Sequence, residues 1–299
     1  MRVKEEFKKT GYFWLPSLPD NKIPGTLFIS DGGEIELEVV GLFDESPEGI
    51  KNVLSGNKNE LERIIGHIEK YGLVTLDDCI YKNRNISFGG ISKSRIHVGR
   101  ALLGVAYEDK ETVQFNTFKF SVEGIDEWVG ISGIKVEHDL KAKSARIEYS
   151  PPEKILLNLD NGMKLFITYS WTLPGFPNYK EAKVTQKTFF KLVSEQERPI
   201  DDFIGVAYKI TTLLCFAIDK TVCIEQVSAT SDSISIDTDK GESRPIPISI
   251  FYASLPFSEV APKIELHNIL FTYGKIQENV EKIINWIDSK GWTPERVKI

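Results

Sequence analysis

Four kinds of side chain in this sequence could do chemistry: paired carboxylates, histidines, cysteines and one alternating run of cations. The carboxylate pairs are Asp77-Asp78 and Asp201-Asp202. The first is expected at a strand end and the second at a helix start, where a carboxylate satisfies free backbone N–H groups and the positive end of the helix dipole. Capping accounts for both without an acid/base dyad. His67, His97, His138 and His267 are scattered, and none stands with a second ligand at metal-binding spacing. There is no G-x-S-x-G, no phosphate-binding loop, no G-x-G-x-x-G after a strand and no H-E-x-x-H. Cys79 directly follows two aspartates, whose charge would raise its thiol pKa, the opposite of what a reactive thiolate needs. These positions predict no catalytic residue, no metal site and no cofactor.

The cationic run is less bland. Lys93, Arg95 and His97 alternate with Ser94, Ile96 and Val98. On a strand, alternate side chains share a face, so the three would project together as an anion-binding or partner-binding surface. The competing reading is an ordinary solvated face opposite an apolar one, since nucleic-acid binders use more phosphate contacts than three residues offer. The aromatics of "GYFWLP" pose a similar choice. Phe13 and Trp14 either bury their rings in the first sheet or form a sugar-stacking platform, and burial is the expectation because each ring hides roughly 150 to 250 Å².

The elements that must carry these residues are mostly strands. Ile35, Leu37 and Val39 alternate with Glu34, Glu36 and Glu38 after the turn Asp31-Gly32-Gly33, which predicts a hairpin with one acidic, wet face. "RIIGHIEKYGLVTLDDCIYKN" reads as a strand pair turning near Lys70 to Gly72, with a short helix over 61–68 as the alternative. "SRIHVGRALLGVAY", "VQFNTFKFSVEG" and "GIKVEHD" continue the pattern, with "IDEWV" as a one-turn interruption. Farther on, "SARIEYS", "KILLNLD", "MKLFITYSW" and "AKVTQKTFFKLV" are strand-like, and Asn161-Gly162 is a hairpin signal. Apolar residues from Phe203 to Ala217 recur at helical spacing, predicting an amphipathic helix over 201–218, and a second is expected over 275–290, ending at Gly291. The fold class expected is mainly β with minor α: two β-sandwich-like or barrel-like halves, one packed internal helix and a C-terminal helix. Pro151 and Pro152 would interrupt strand pairing, which puts the division between domains at 1–150 and 151–299.

Composition narrows the function classes. With 299 residues, 41% of them hydrophobic, the chain can fill a substantial core. A net charge of -6 argues against a chain-wide nucleic-acid or anionic-membrane surface. Three cysteines without a CxxC pair suit a reducing cytosol, and no apolar run approaches the roughly 20 residues of a membrane-spanning helix. A cytoplasmic protein without a membrane anchor is expected, with homo-oligomerisation open.

The order of several segments resembles the N-terminal region of ApeA-like proteins, antiphage defence proteins that carry a C-terminal HEPN domain. The segments are "GYFWLPSLPDNKIPGTLFISDGGEIELEVVG", "IIGHIEKYGLVTLDDC", "VQFNTFKFSVEGIDEWVGISGIKVE", "KITTLLCFAIDKTVCIEQVSA" and "HNILFTYGKIQENVEKIINWI". The resemblance implies a non-catalytic sensor or regulatory region that answers a phage-derived trigger and controls an RNA-cleaving HEPN domain in abortive infection. That family's nuclease uses an Arg and a His separated by four to six residues. Here Arg63 precedes His67 with three residues between and Arg95 precedes His97 with one, so the motif is not reproduced and no enzyme activity is expected of this chain. It is expected to be either a piece ending where the HEPN bundle begins or a stand-alone relative. The reading from another class is a carbohydrate-binding or carbohydrate-active β-sandwich, and a third is a dimerisation module with a large apolar patch.

Overall fold

The computed structural model describes residues 1–4, 6–43, 60–61, 63–85, 87, 90–108, 111–159, 161–173, 182–237 and 243–252. The protein is mainly β, as its alternating patterns predict. The expected helix over 275–290 lies outside the described residues. Those that are described divide into two compact units: the first takes Met1–Phe120, Ser194–Gly205 and the described part of Cys223–Leu255, the second Ser121–Val193 and Val206–Val222.

Six strands of the first unit close a barrel. They are β1 (Phe7–Trp14), β2 (Ile23–Ser30), β3 (Glu34–Val40), β5 (Ile64–Ile68), β6 (Gly72–Asn85) and β7 (Lys93–Leu103), and β4 (Glu60–Leu61) adds a short edge on β6. Every neighbour is antiparallel in the circuit β1-β2-β3-β7-β6-β5, which returns to β1. Closure pairs both edges of each strand and removes the edges that an open sheet must protect. The alternation read in β3 is realised: Ile35, Leu37 and Val39 are fully buried, while Glu34, Glu36 and Glu38 face out. The β2–β3 turn works because Gly32 and Gly33 take φ of 93° and 79°, a region that costs other residues dearly. Residues 64–68 form a strand, not the alternative helix. Ile64, Gly66 and Ile68 point inward at a period of two, and pairing with both β1 and β6 outweighs any local helical preference.

Phe13 lies fully buried in this barrel, as expected, but Trp14 does not join it. Successive residues of a strand face opposite ways, so Phe13 and Trp14 cannot both point inward. Trp14 is half-buried on the outside, with the Lys22 ammonium 4.7 Å from its ring centre. Along the second half of β7, β17 (Ile248–Tyr252) takes the edge that β3 leaves, and β14 (Ile224–Thr230) pairs with β17. β8 (Gln114–Val122) lies beside β14, and a two-stranded ribbon of β15 (Ser235–Asp237) and β16 (Ser243–Pro245) follows.

In the second unit, β11 (Ile155–Asn158), β12 (Lys164–Thr172) and β13 (Thr185–Pro199, up to Val193) form an antiparallel sheet. Its buried face carries the cross-strand pairs Leu165/Leu192, Ile167/Phe190 and Tyr169/Thr188. Asn161 and Gly162 turn between β11 and β12, with Gly162 at φ 79°. The segment "IDEWV" is a single helical turn, α1 (Ile125–Val129), bounded by left-handed Gly124 and Gly130. Asp126 of α1 accepts the Thr188 backbone N–H at 2.6 Å. β9 (Ile134–Asp139) and β10 (Ser144–Tyr149) form an exposed hairpin.

The internal helix α2 (Ile200–Ile218) matches the range expected from sequence to within a residue. Its buried stripe is Phe203, Ala207, Thr211, Leu214 and Ala217. Thr211 joins an otherwise apolar stripe because its hydroxyl donates to the Ala207 carbonyl at 2.8 Å. The end is a Schellman turn: Asp219 takes φ 56°, and the N–H groups of Asp219 and Lys220 reach back to Phe216 and Cys215.

Candidate functional site

The outer face of the barrel holds the cations that the sequence singles out. On β7, Ser94, Ile96 and Val98 are buried, so Lys93 and Arg95 stand exposed and His97 half-exposed on the opposite face. Their environment is set by β3, whose wet residues pair with them: Val40 opposite Lys93, Glu38 opposite Arg95 and Glu36 opposite His97. Side chains so paired stand with Cβ atoms about 5 Å apart. The Lys82 ammonium on β6 adds bonds to Glu34 at 2.7 Å and Glu36 at 2.5 Å. That bond holds the Glu34 carboxyl below its ordinary range, and the two glutamates hold Lys82 above its own. The face is therefore a mosaic of both signs, suited to a partner surface of mixed charge more than to a phosphate chain.

Along the same face, at its Lys93 end, lies a groove of about 600 Å³ that no sequence motif announced. Gly11 and Gly25, paired across β1 and β2, lie at its floor. Tyr12 stands in it 58% exposed, with Thr10, Thr26, Glu38, His67, Glu69 and Lys93 around it. The available signal was the alternation of "GYFW" itself: if Phe13 is the buried ring, Tyr12 must face outward.

A second cleft of similar volume opens over β6 and the start of α2. Arg63 enters it from the lead-in to β5 and is held by four bonds. Its Nε and Nη2 donate to the Asp77 carboxylate at 2.6 and 3.3 Å, and its Nη1 donates to the carbonyls of Glu108 and Glu111 at 2.6 and 3.0 Å. Both side chains of the ion pair are only about an eighth exposed, at 12% and 13%. Arg100 of β7 reaches Asp201 in the first turn of α2 at 2.6 Å. Asp77 and Asp78 are thus not at a strand end, as their sequence suggests, but in the middle of β6, where Asp78 takes φ 55°. Strand pairing on both sides continues β6 through a position that local chemistry would use as a stop. Burial first, and then the charges of Asp77 and Asp78, push the Cys79 thiol far up, so it is an inert core residue, in line with the sequence reading. Burial likewise pushes the Tyr107 hydroxyl, beside Arg63, up to about 12.

Two of the cleft's carboxylates, Asp77 and Asp201, are paired with Arg63 and Arg100, and Glu60 and Asp78 add two further carboxylates to its lining. Among the described residues no three His, Cys, Asp or Glu side chains gather as a metal ion would need, and no helix is long and apolar enough to cross a membrane. The Arg63 and His67 positions, four apart in sequence, serve different surfaces: Arg63 is locked into the cleft, and His67 faces the Tyr12 groove.

A family model described as ApeA N-terminal domain 1 matches residues 8–286. The chain belongs to that family. The match takes in all of the barrel but Phe7, the first residue of β1, together with both clefts and the described part of the second unit, so the ApeA N-terminal domain 1 assignment covers both clefts and the Lys93, Arg95 and His97 face. It names an N-terminal domain and not a catalytic HEPN domain. No curated protein sequence matches this chain, and no solved structure does.

Proposed function

We propose that this ApeA N-terminal domain 1 chain is the non-catalytic recognition and regulatory region of an antiphage ribonuclease. It acts in the cytoplasm, answers a phage-derived cue or partner, and controls a C-terminal HEPN domain whose activity aborts the infection. The observation that carries this reading is the family match over residues 8–286. Two features of the structure support it. Two side chains that could serve catalysis are held structurally: Arg63 by four hydrogen bonds and Cys79 by burial. The solvent-facing side of β7 and β3, with Lys93, Arg95 and His97 set against Glu36 and Glu38, offers a mixed-charge surface of the kind that docks proteins.

The test is to incubate the purified chain with total cellular RNA and, in parallel, to challenge cells carrying the complete gene with phage. The expected result is no RNA cleavage by the chain alone and protection by the complete gene. RNA cleavage by these 299 residues on their own overturns the regulatory reading.

A further inference from the structure

We propose that the Tyr12 groove on the outer face of the barrel is a binding site for a neutral saccharide. The inference rests on reading this chain as a recognition module and names the ligand class of one of its surfaces.

Three observations carry it. An aromatic ring is offered on an open strand face: Tyr12 is 58% exposed, whereas Phe13 beside it is fully buried. A sugar presents a face of C–H groups that packs on such a ring, and the phenol hydroxyl remains free to bond. The ring stands in a groove of about 600 Å³ that is also lined by Gly11, next to Tyr12, and by Gly25, opposite Gly11. The polar groups around the ring are then of the types that hold hydroxyls. Glu38 and Glu69 accept, Lys93 donates, and Thr10 and Thr26, paired across β1 and β2, do either.

Charge selects among ligand classes. The groove sets two carboxylates against one ammonium, with His67 beside Tyr12 in the β1–β5 register. A phosphate-rich ligand meets Glu38 and Glu69, and a polycation meets Lys93, so each is penalised by a like charge close by. A neutral ligand rich in hydroxyls pays neither cost and can use every one of these donors and acceptors.

The experiment titrates the full chain, by calorimetry and by NMR chemical shifts, with maltotetraose, cellotetraose and tetra-N-acetylchitotetraose, and with a heparin tetrasaccharide and tetralysine as charged contrasts. At least one neutral tetrasaccharide is expected to bind. Tyr12→Ala and Glu38→Gln are each expected to weaken it by about tenfold, and Tyr12→Phe to retain most of the affinity, with melting curves of all three variants near that of the parent. The proposal is overturned if no neutral sugar binds, if only a charged contrast binds, or if Tyr12→Ala binds as well as the parent. Such a result leaves the recognition reading standing, because that reading fails on a different observation, RNA cleavage by the chain alone.

Discussion

The ring of Phe13 occupies the space that a side chain at Gly66 would need: a methyl group there would lie 2.5 Å from Phe13 Cδ1 and 2.7 Å from Cε1. Phe13 and Gly66 are direct cross-strand partners, and the same ring lies 3.0 Å from the methyl position of Gly25 on the other side. The barrel accommodates one large ring by leaving its neighbours bare. Gly66→Ala is expected to destabilise the protein by about 1–3 kcal/mol through overpacking, and Phe13→Ala by about 3–5 kcal/mol through the cavity it leaves. Urea unfolding measures both. Combining Gly66→Ala with Phe13→Leu should cost less than the two separate losses added together, because the smaller side chain vacates the contested space.

Arg63 and Asp77 form the most sheltered ion pair described, and the guanidinium also caps two loop carbonyls. Removing one partner of such a pair leaves the other charged and desolvated. Asp77→Ala is expected to cost about 3 kcal/mol by denaturant unfolding, and Arg63→Ala a similar amount, since it frees the Glu108 and Glu111 carbonyls as well. A loss below about 0.5 kcal/mol in both would mean that the pair is solvated and incidental.

Acid should loosen the barrel's neighbour strands through Glu197. Its carboxylate accepts the Ser231 hydroxyl at 2.5 Å and the Ser233 backbone N–H at 3.3 Å, and the first of these bonds is the main cause that holds its pKa below the ordinary 4.5. A group whose native pKa is depressed binds protons more readily when unfolded, so its stabilising contribution is complete above about pH 4.5 and disappears as pH falls through the lower native value. Glu197→Gln should therefore flatten the fall in melting temperature between neutral and acid pH. An unchanged slope would show that other carboxylates dominate.

The face of Lys93, Arg95 and His97 is open to a direct test because changing it leaves the core alone. Neutral replacements are preferable to acidic ones, which would set like charges opposite Glu36 and Glu38. Lys93→Gln, Arg95→Gln and His97→Gln together should shift stability little, about 0.5 kcal/mol per site, because each side chain points to solvent. Protection of cells carrying the complete gene should fall if this face docks the cue or partner. Full protection by the triple variant would remove the face from the recognition surface.

Much of the architecture was legible along the chain because it is written in local periodicity. The Glu/apolar alternation of β3, the hairpins at Asp31-Gly32-Gly33 and Asn161-Gly162, and the helical spacing from Phe203 to Ala217 all reappear as elements with the faces they implied. So did the common face of Lys93, Arg95 and His97, which needs only a strand with period two. Misreadings arose where tertiary pairing overruled a local cue. Asp77-Asp78 reads as a strand end until β6 runs through it, and Trp14 reads as core until Phe13 takes the interior.

What the sequence alone determined is therefore the inventory: strands in order, one internal helix, a wet acidic face and a family resemblance spread along the chain. What only the tertiary structure decided is which residues meet. Closure of β1 onto β5 sets Phe13 against Gly66 and leaves Tyr12 outside beside His67. Pairing of β3 with β7 puts Glu36 and Glu38 against the cations, and the approach of residue 63 to residue 77 buries their ion pair. Periodicity is a property of neighbours in the chain, whereas these contacts join residues 14 to more than 50 positions apart, and no local pattern encodes the closure that brings them together.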